Sequence, residues 1–97
     1  MAVRLVITFT AAPGRGGDLA AAFAARCAEV TAQEHGCEQY EIFQSAVNPE
    51  KLLLMELWTT PADLDAHAEL NKTRPPLSRE LFAGVTERED YVYSRTR

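Results

Sequence analysis

Residues 34–69 read EHGCEQYEIFQSAVNPEKLLLMELWTTPADLDAHAE, and this stretch decides the fold. Gly36 predicts a left-handed stop to the helix before it. Residues 37–45 (CEQYEIFQS) and 51–59 (KLLLMELWT) are strand-like, and Asn48-Pro49 between them marks a turn, so the two runs predict a hairpin. In the first run Tyr40 and Ile42 face one way, with Cys37 and Phe43 roughly the other. In the second, Leu52, Leu54, Glu56 and Trp58 share one face, and Leu53, Met55 and Leu57 share the opposite one. Thr60-Pro61-Ala62-Asp63 opens a helix with a cap, a proline at the first position and an acid in the first turn; it runs to about Leu70. Trp58 therefore ends a strand, and His67 lies one to two turns into the following helix. An aromatic wall and a titratable group meet at one end of a sheet.

On the N-terminal side, residues 3–10 (VRLVITFT) are β-branched and aromatic and predict a first strand ending in the loop AAPGRGG. That loop has neither the lysine nor the glycine spacing of a phosphate-binding loop. Asp18 is placed to cap a helix running to about Gln33, whose Leu19, Phe23, Cys27 and Val30 form one apolar stripe. On the C-terminal side, Asn71 through Pro76 break the second helix. Residues 77–82 (LSRELF) predict a short helical piece ending at Gly84, and residues 85–95 a last strand whose charges mark an edge. The order is β-α-β-β-α-β over a single domain, 1–97. This is an α+β, ferredoxin-like pattern with an antiparallel sheet and its helices on one face.

The 51–59 strand is apolar on both faces, and one layer of helices can cover only one of them. A chain of 97 residues buries only about 60–65% of the surface its unfolded form exposes. A second copy of the chain is the economical cover, so a homodimer is expected.

The hydrophobic fraction of 46% and charged fraction of 25% are those of an ordinary globular domain. Ten Lys and Arg against fourteen Asp and Glu leave a net charge of −4 and no basic stripe. That argues against nucleic acid, which demands many phosphate contacts, and against an anionic membrane surface. Cys27 and Cys37 fit no metal-ligand spacing and no disulfide framework; Cys27 is expected as a small core residue. The N-terminal apolar run is short, is broken by Thr8 and Thr10, and reads as a strand rather than a signal peptide, so a cytoplasmic location is expected.

The EHGCEQYEIF block, the LLLMELW strand, the TTPADLDAH helix start and the order of elements together resemble the antibiotic biosynthesis monooxygenase domain superfamily, over nearly the whole chain. The resemblance implies a homodimeric α/β barrel with sheets packed face to face. Its activities include oxidation of phenols, anthrones or hydroquinones by O2 without metal or organic cofactor, degradation of haem, and isomerisation of a small phosphorylated sugar. Haem-degrading members carry an asparagine in the first strand, and VRLVITFT has none. Anthrone oxygenases carry one four residues before the tryptophan, where this chain has Leu54. The quinol-oxidising type, with its histidine on the second helix, fits better.

His67 is the candidate base, because an imidazole with an unperturbed pKa of about 6.5 accepts a proton at neutral pH. Trp58, Tyr40 and Leu54 are candidate substrate contacts, only one of Tyr40 and Phe43 being able to share the pocket face. Arg74, expected at the surface beside Pro75, could reach an anionic group. Glu56 is the odd polar residue in an apolar strand. It should pair with a basic or hydroxyl group or hold its proton unusually tightly. His35 is expected in solvent. The expectation is a cofactor-independent monooxygenase acting on a small reduced aromatic. The alternatives are a non-catalytic small-molecule binder or stress-accessory protein, and a cofactorless isomerase or cyclase.

Overall fold

A computed structural model describes residues 1–97. Strand β1 (Val3–Ala11) leads into helix α1 (Gly16–Gln33), the hairpin of β2 (Cys37–Gln44) and β3 (Lys51–Trp58) follows, then helix α2 (Pro61–Asn71), a 3-10 turn (Arg79–Leu81) and β4 (Phe82–Val92). The strands form one antiparallel sheet in the order β2-β3-β1-β4, so the fold is the expected ferredoxin-like α+β arrangement. No helix is long and apolar enough to cross a membrane.

The register sorts the side chains. Leu5, Ile7 and Phe9 of β1 lie opposite Glu56, Leu54 and Leu52 of β3, and Tyr40 and Ile42 of β2 lie opposite Glu56 and Leu54. These residues face the helices. Helix α1 meets them with Leu19, Phe23, Cys27 and Val30, all buried as its apolar stripe requires. Trp58, Leu5, Leu19, Leu52, Leu54 and Val30 are the largest fully buried side chains. Each aliphatic among them stabilises the fold by roughly 1.5–3 kcal/mol relative to exposure.

Several local expectations are corrected. Asp18 does not cap α1: the cap position is Arg15, without a side-chain cap bond, and Asp18 instead accepts from Arg15 Nε at 2.7 Å. Cys37 faces the helices with Tyr40 rather than away from them. The pairing skips Glu38 between Cys37↔Trp58 and Gln39↔Leu57, and that irregularity returns Cys37 to the core side. The last strand starts at Phe82, three residues before the expected Val85, because the 3-10 turn closes at Leu81.

The junction of α1 and α2 positions the site. Thr60 caps α2, accepting from the Asp63 backbone N–H at 3.1 Å and donating its hydroxyl to Asp63 Oδ2 at 2.9 Å. Gly36 stands at φ +78°, and a Cβ there would meet the Asp63 carboxyl at 2.2 Å. Glycine alone accepts both the left-handed backbone and this close approach. The end of α1 is thereby brought beside the start of α2.

Candidate active site

A cavity of about 540 Å³ lies between the sheet and the two helices, within the range typical of small-molecule sites. Leu5, Ile7, Phe9 and Leu54 form its floor, with Phe23, Leu64, Leu77 and Phe82 around it. The polar groups on this apolar lining include Arg26, Tyr40, Glu56, His67, Asn71 and Arg88.

His67 is the one buried residue of α2. Its Nδ1 lies 2.8 Å from Glu34 Oε1, a contact the Gly36 junction makes possible. A carboxylate only accepts hydrogen bonds, so it fixes the proton on Nδ1 of the neutral ring and leaves the Nε2 lone pair as the basic position. Nε2 has no partner within the protein and is not sealed, and the His67 ring lines the cavity. Glu34 is held in turn by Arg74, whose Nη1 lies 2.6 Å from Glu34 Oε2 and whose Nε donates to Glu29 Oε1 at 2.8 Å. The Glu34 and Arg74 side chains are only 5% and 6% exposed, so this is an interior ion pair that orients the histidine.

Glu56 is buried one strand away, and its Oε1 accepts from Trp58 Nε1 at 2.9 Å. Burial raises its carboxyl above the usual carboxylate range, against the pull of the Trp58 N–H and of His67. The partner is therefore an indole rather than the expected base or hydroxyl, and the tight hold on the proton is the other expected outcome. Burial, aided by the Glu56 charge, pushes the Tyr40 phenol upward, so Tyr40 stays protonated at neutral pH. Burial also pushes the Cys27 and Cys37 thiols up to about 11, which leaves neither as a nucleophilic thiolate.

The position of Glu56 has a consequence for stability. The native state holds its proton more tightly than the unfolded chain, so raising the pH above the unfolded carboxylate value of about 4.3 removes stability until native Glu56 also ionises. Glu56→Gln cannot ionise. Its melting temperature relative to wild type is expected to rise with pH from about 4 and then level off. Thermal melts of both proteins across that range check this; a flat difference would mean Glu56 titrates normally.

The structure places the sequence candidates unequally. His67, Tyr40 and Leu54 line the cavity together. Trp58 is fully buried and not among the lining residues; its ring stacks 4.7 Å from that of His67, with Tyr40 5.3 Å from His67 on another side. Arg74 is not in solvent as expected but committed to Glu34 and Glu29. Phe43 lies on the opposite sheet face, paired with Leu53, and His35 is exposed. Glu34 was missed by sequence reasoning. It is 33 residues from His67, and only its place two residues before the helix-stopping Gly36 could have signalled that it faces α2. No three of the His, Cys, Asp and Glu side chains converge to hold a metal ion.

The fold is that of a class of small α+β domains, and the comparisons agree on it. The family model for antibiotic biosynthesis monooxygenase matches residues 2–73, and the chain belongs to that family. No curated protein matches it in sequence. Among solved structures, a conserved protein of Methanosarcina mazei is similar at 27% identity and TM-score 0.73, covering 94% of this chain and 91% of that one. A protein of Pseudomonas aeruginosa is similar at 24% identity and TM-score 0.78, covering 97% and 95%. One of Deinococcus radiodurans, named for the same family, is similar at 17% identity and TM-score 0.74, covering 98% and 95%.

Proposed function

We propose that this domain is a cofactor-independent monooxygenase that oxidises a small reduced aromatic, of the hydroquinone, phenol or anthrone type, with O2. The observation that carries the reading is His67 on the wall of a largely apolar cavity, its Nδ1 tied to Glu34 and its Nε2 unpaired. Nε2 takes the phenolic proton. The resulting anion passes one electron to O2, the radical and superoxide combine into a peroxide anion, and the proton held on Nε2 returns to it to give a hydroperoxide. Loss of water then leaves a quinone, so one oxygen atom enters the ring, the other leaves as water, and the substrate supplies every electron. Leu54 and its apolar neighbours hold the ring and exclude water, while Tyr40 offers a protonated hydroxyl. Trp58 acts from behind, packing against the His67 ring.

Oxygen uptake with a panel of hydroquinols and anthrones tests this. His67→Ala is expected to lose about 10²–10⁴-fold in turnover, the usual range for a positioned base. Equal turnover by the two proteins would remove His67 from the mechanism. Isomerisation is the second reading, favoured by a second acid/base group, Glu56, on the same cavity; it would yield product with no oxygen consumed.

The reading includes a homodimer whose second copy covers the helix-free face of the sheet. Leu53 and Met55 remain only half-buried there in a single chain, and Phe43 and Tyr91 are exposed.

A further inference from the structure

Glu56 is a buried carboxyl with one oxygen in use. Oε1 is fixed by the Trp58 indole, while Oε2 has no partner in the protein and is not sealed from the cavity that Glu56 lines. None of the charged groups around it forms an ion pair with it. From β2 comes the Tyr40 hydroxyl, from α2 the His67 ring, and from α1 Arg26, whose Nη2 is spent on the Pro75 carbonyl at 2.6 Å. From β4 comes Arg88, whose Nε and Nη2 both donate to Asp90 at 2.8 Å. A cavity built to receive a cation would leave this carboxyl charged. Here no ion pair forms, burial is nearly complete, and the neutral acid is the form the surroundings favour. A neutral carboxyl whose carbonyl oxygen accepts from the indole presents its O–H from the other oxygen.

We propose that Glu56 is a second polar anchor of the cavity, donating an O–H hydrogen bond from Oε2 to an oxygen of the ligand, so that the site selects aromatics bearing two oxygen functions over those bearing one. One ligand oxygen meets His67 Nε2 and gives up its proton. The other meets Glu56 and is stabilised as it gains carbonyl character. This deepens the proposed function and rests on it for the ligand class. Selectivity follows because a buried donor left without an acceptor costs free energy, so the site penalises the ligand that lacks the second oxygen.

Trp58 is the chain's single tryptophan, bonded to Glu56 and stacked on His67, so its fluorescence reports occupancy directly. The test is anaerobic titration with 1,4-dihydroxynaphthalene and with 1-naphthol. Wild type is expected to bind the diol about 10–100-fold more tightly. Glu56→Leu should weaken the diol and, with the unmatched donor gone, bind 1-naphthol no less tightly than wild type does, so that the two probes fall within about fivefold of each other. Glu56→Gln keeps an acceptor for Trp58 and an N–H donor at the Oε2 position, and should hold the preference within about fivefold. It also carries the test if the leucine variant does not fold.

Equal binding of both probes by wild type overturns the anchor and leaves the proposed function standing. Binding of neither removes the ligand class and this inference with it. A glutamine variant that loses the preference, or a leucine variant that weakens both probes alike, overturns the donor role.

Discussion

Glu34→Ala is expected to lower the melting temperature by at least about 12 °C. The carboxylate it removes is the counter-charge of Arg74, a guanidinium only 6% exposed. Breaking an interior pair on one side costs about 3–5 kcal/mol, because the surviving charge stays buried and unpaired. In a domain of this size each kcal/mol moves the midpoint by roughly 4–8 °C. Glu29 is 43% exposed and still bonds Arg74 Nε, so part of the charge stays answered and the lower end of that range applies. The same variant frees the His67 ring, so in the proposed reaction turnover falls even where the protein is folded. Replacing both partners, Glu34→Leu with Arg74→Met, should recover much of the stability and none of the turnover, since an apolar pair of similar volume satisfies the interior but orients no imidazole. Thermal unfolding by circular dichroism, with oxygen uptake in parallel, separates the two effects. A single-variant midpoint within about 4 °C of wild type would mean the pair is solvated in solution.

The contrast between Glu34 and Glu56 shows how much of the site was legible in sequence. Glu56 announced itself: a carboxyl at an inward position of KLLLMELW cannot be neutral to the fold, and it is buried. Glu34 gave no such signal. It stands beside a helix-stopping glycine among polar residues, a context that ordinarily means solvent. Its burial depends on two helices meeting where Gly36 admits Asp63, and no periodicity within either helix encodes that. Arg74 was misplaced for the same reason, since it follows α2 in an irregular segment yet reaches back to α1.

The fold was the easier part. The apolar run of β3, the cap at Thr60 and the stripe on α1 are local patterns, and each agreed with the same topology. What local patterns could not show was the skipped residue at Glu38. It turns on how β2 pairs with β3, and it moved Cys37 to the other face. The cavity was legible only in outline: the sequence placed His67 and Trp58 at one end of the sheet, but not which of them faces inward. Trp58 is large enough to fill the space behind the histidine and so packs rather than lines.

Met55→Asp is expected to dissociate the proposed dimer by at least about a thousandfold without unfolding the chain. Met55 sits in the middle of the helix-free face, between Val6 of β1 and Glu41 of β2, with Leu53 and Leu57 on the same side of its own strand. Four strands at about 4.8 Å spacing and eight residues at about 3.3 Å rise span roughly 19 by 26 Å, or some 500 Å² before side-chain relief. With relief that approaches the roughly 800 Å² per partner of a standard interface. An aspartate at its centre, beside Glu41, would be sealed from water by the second sheet, and Arg4, the cation beside Leu57 on this face, is already engaged by the Gln39 side chain and the Tyr93 ring. A penalty of about 4 kcal/mol, equivalent to a factor of a thousand in Kd, is at the modest end for such a group. The single chain tolerates the change, because Met55 is only half-buried there and a charge can reach solvent. Sedimentation at micromolar concentration distinguishes the cases. Wild type should run as a dimer and the variant as a folded monomer with unchanged helix content. A wild-type protein that is itself a folded monomer would leave the face uncovered, and the homodimer would have to be given up.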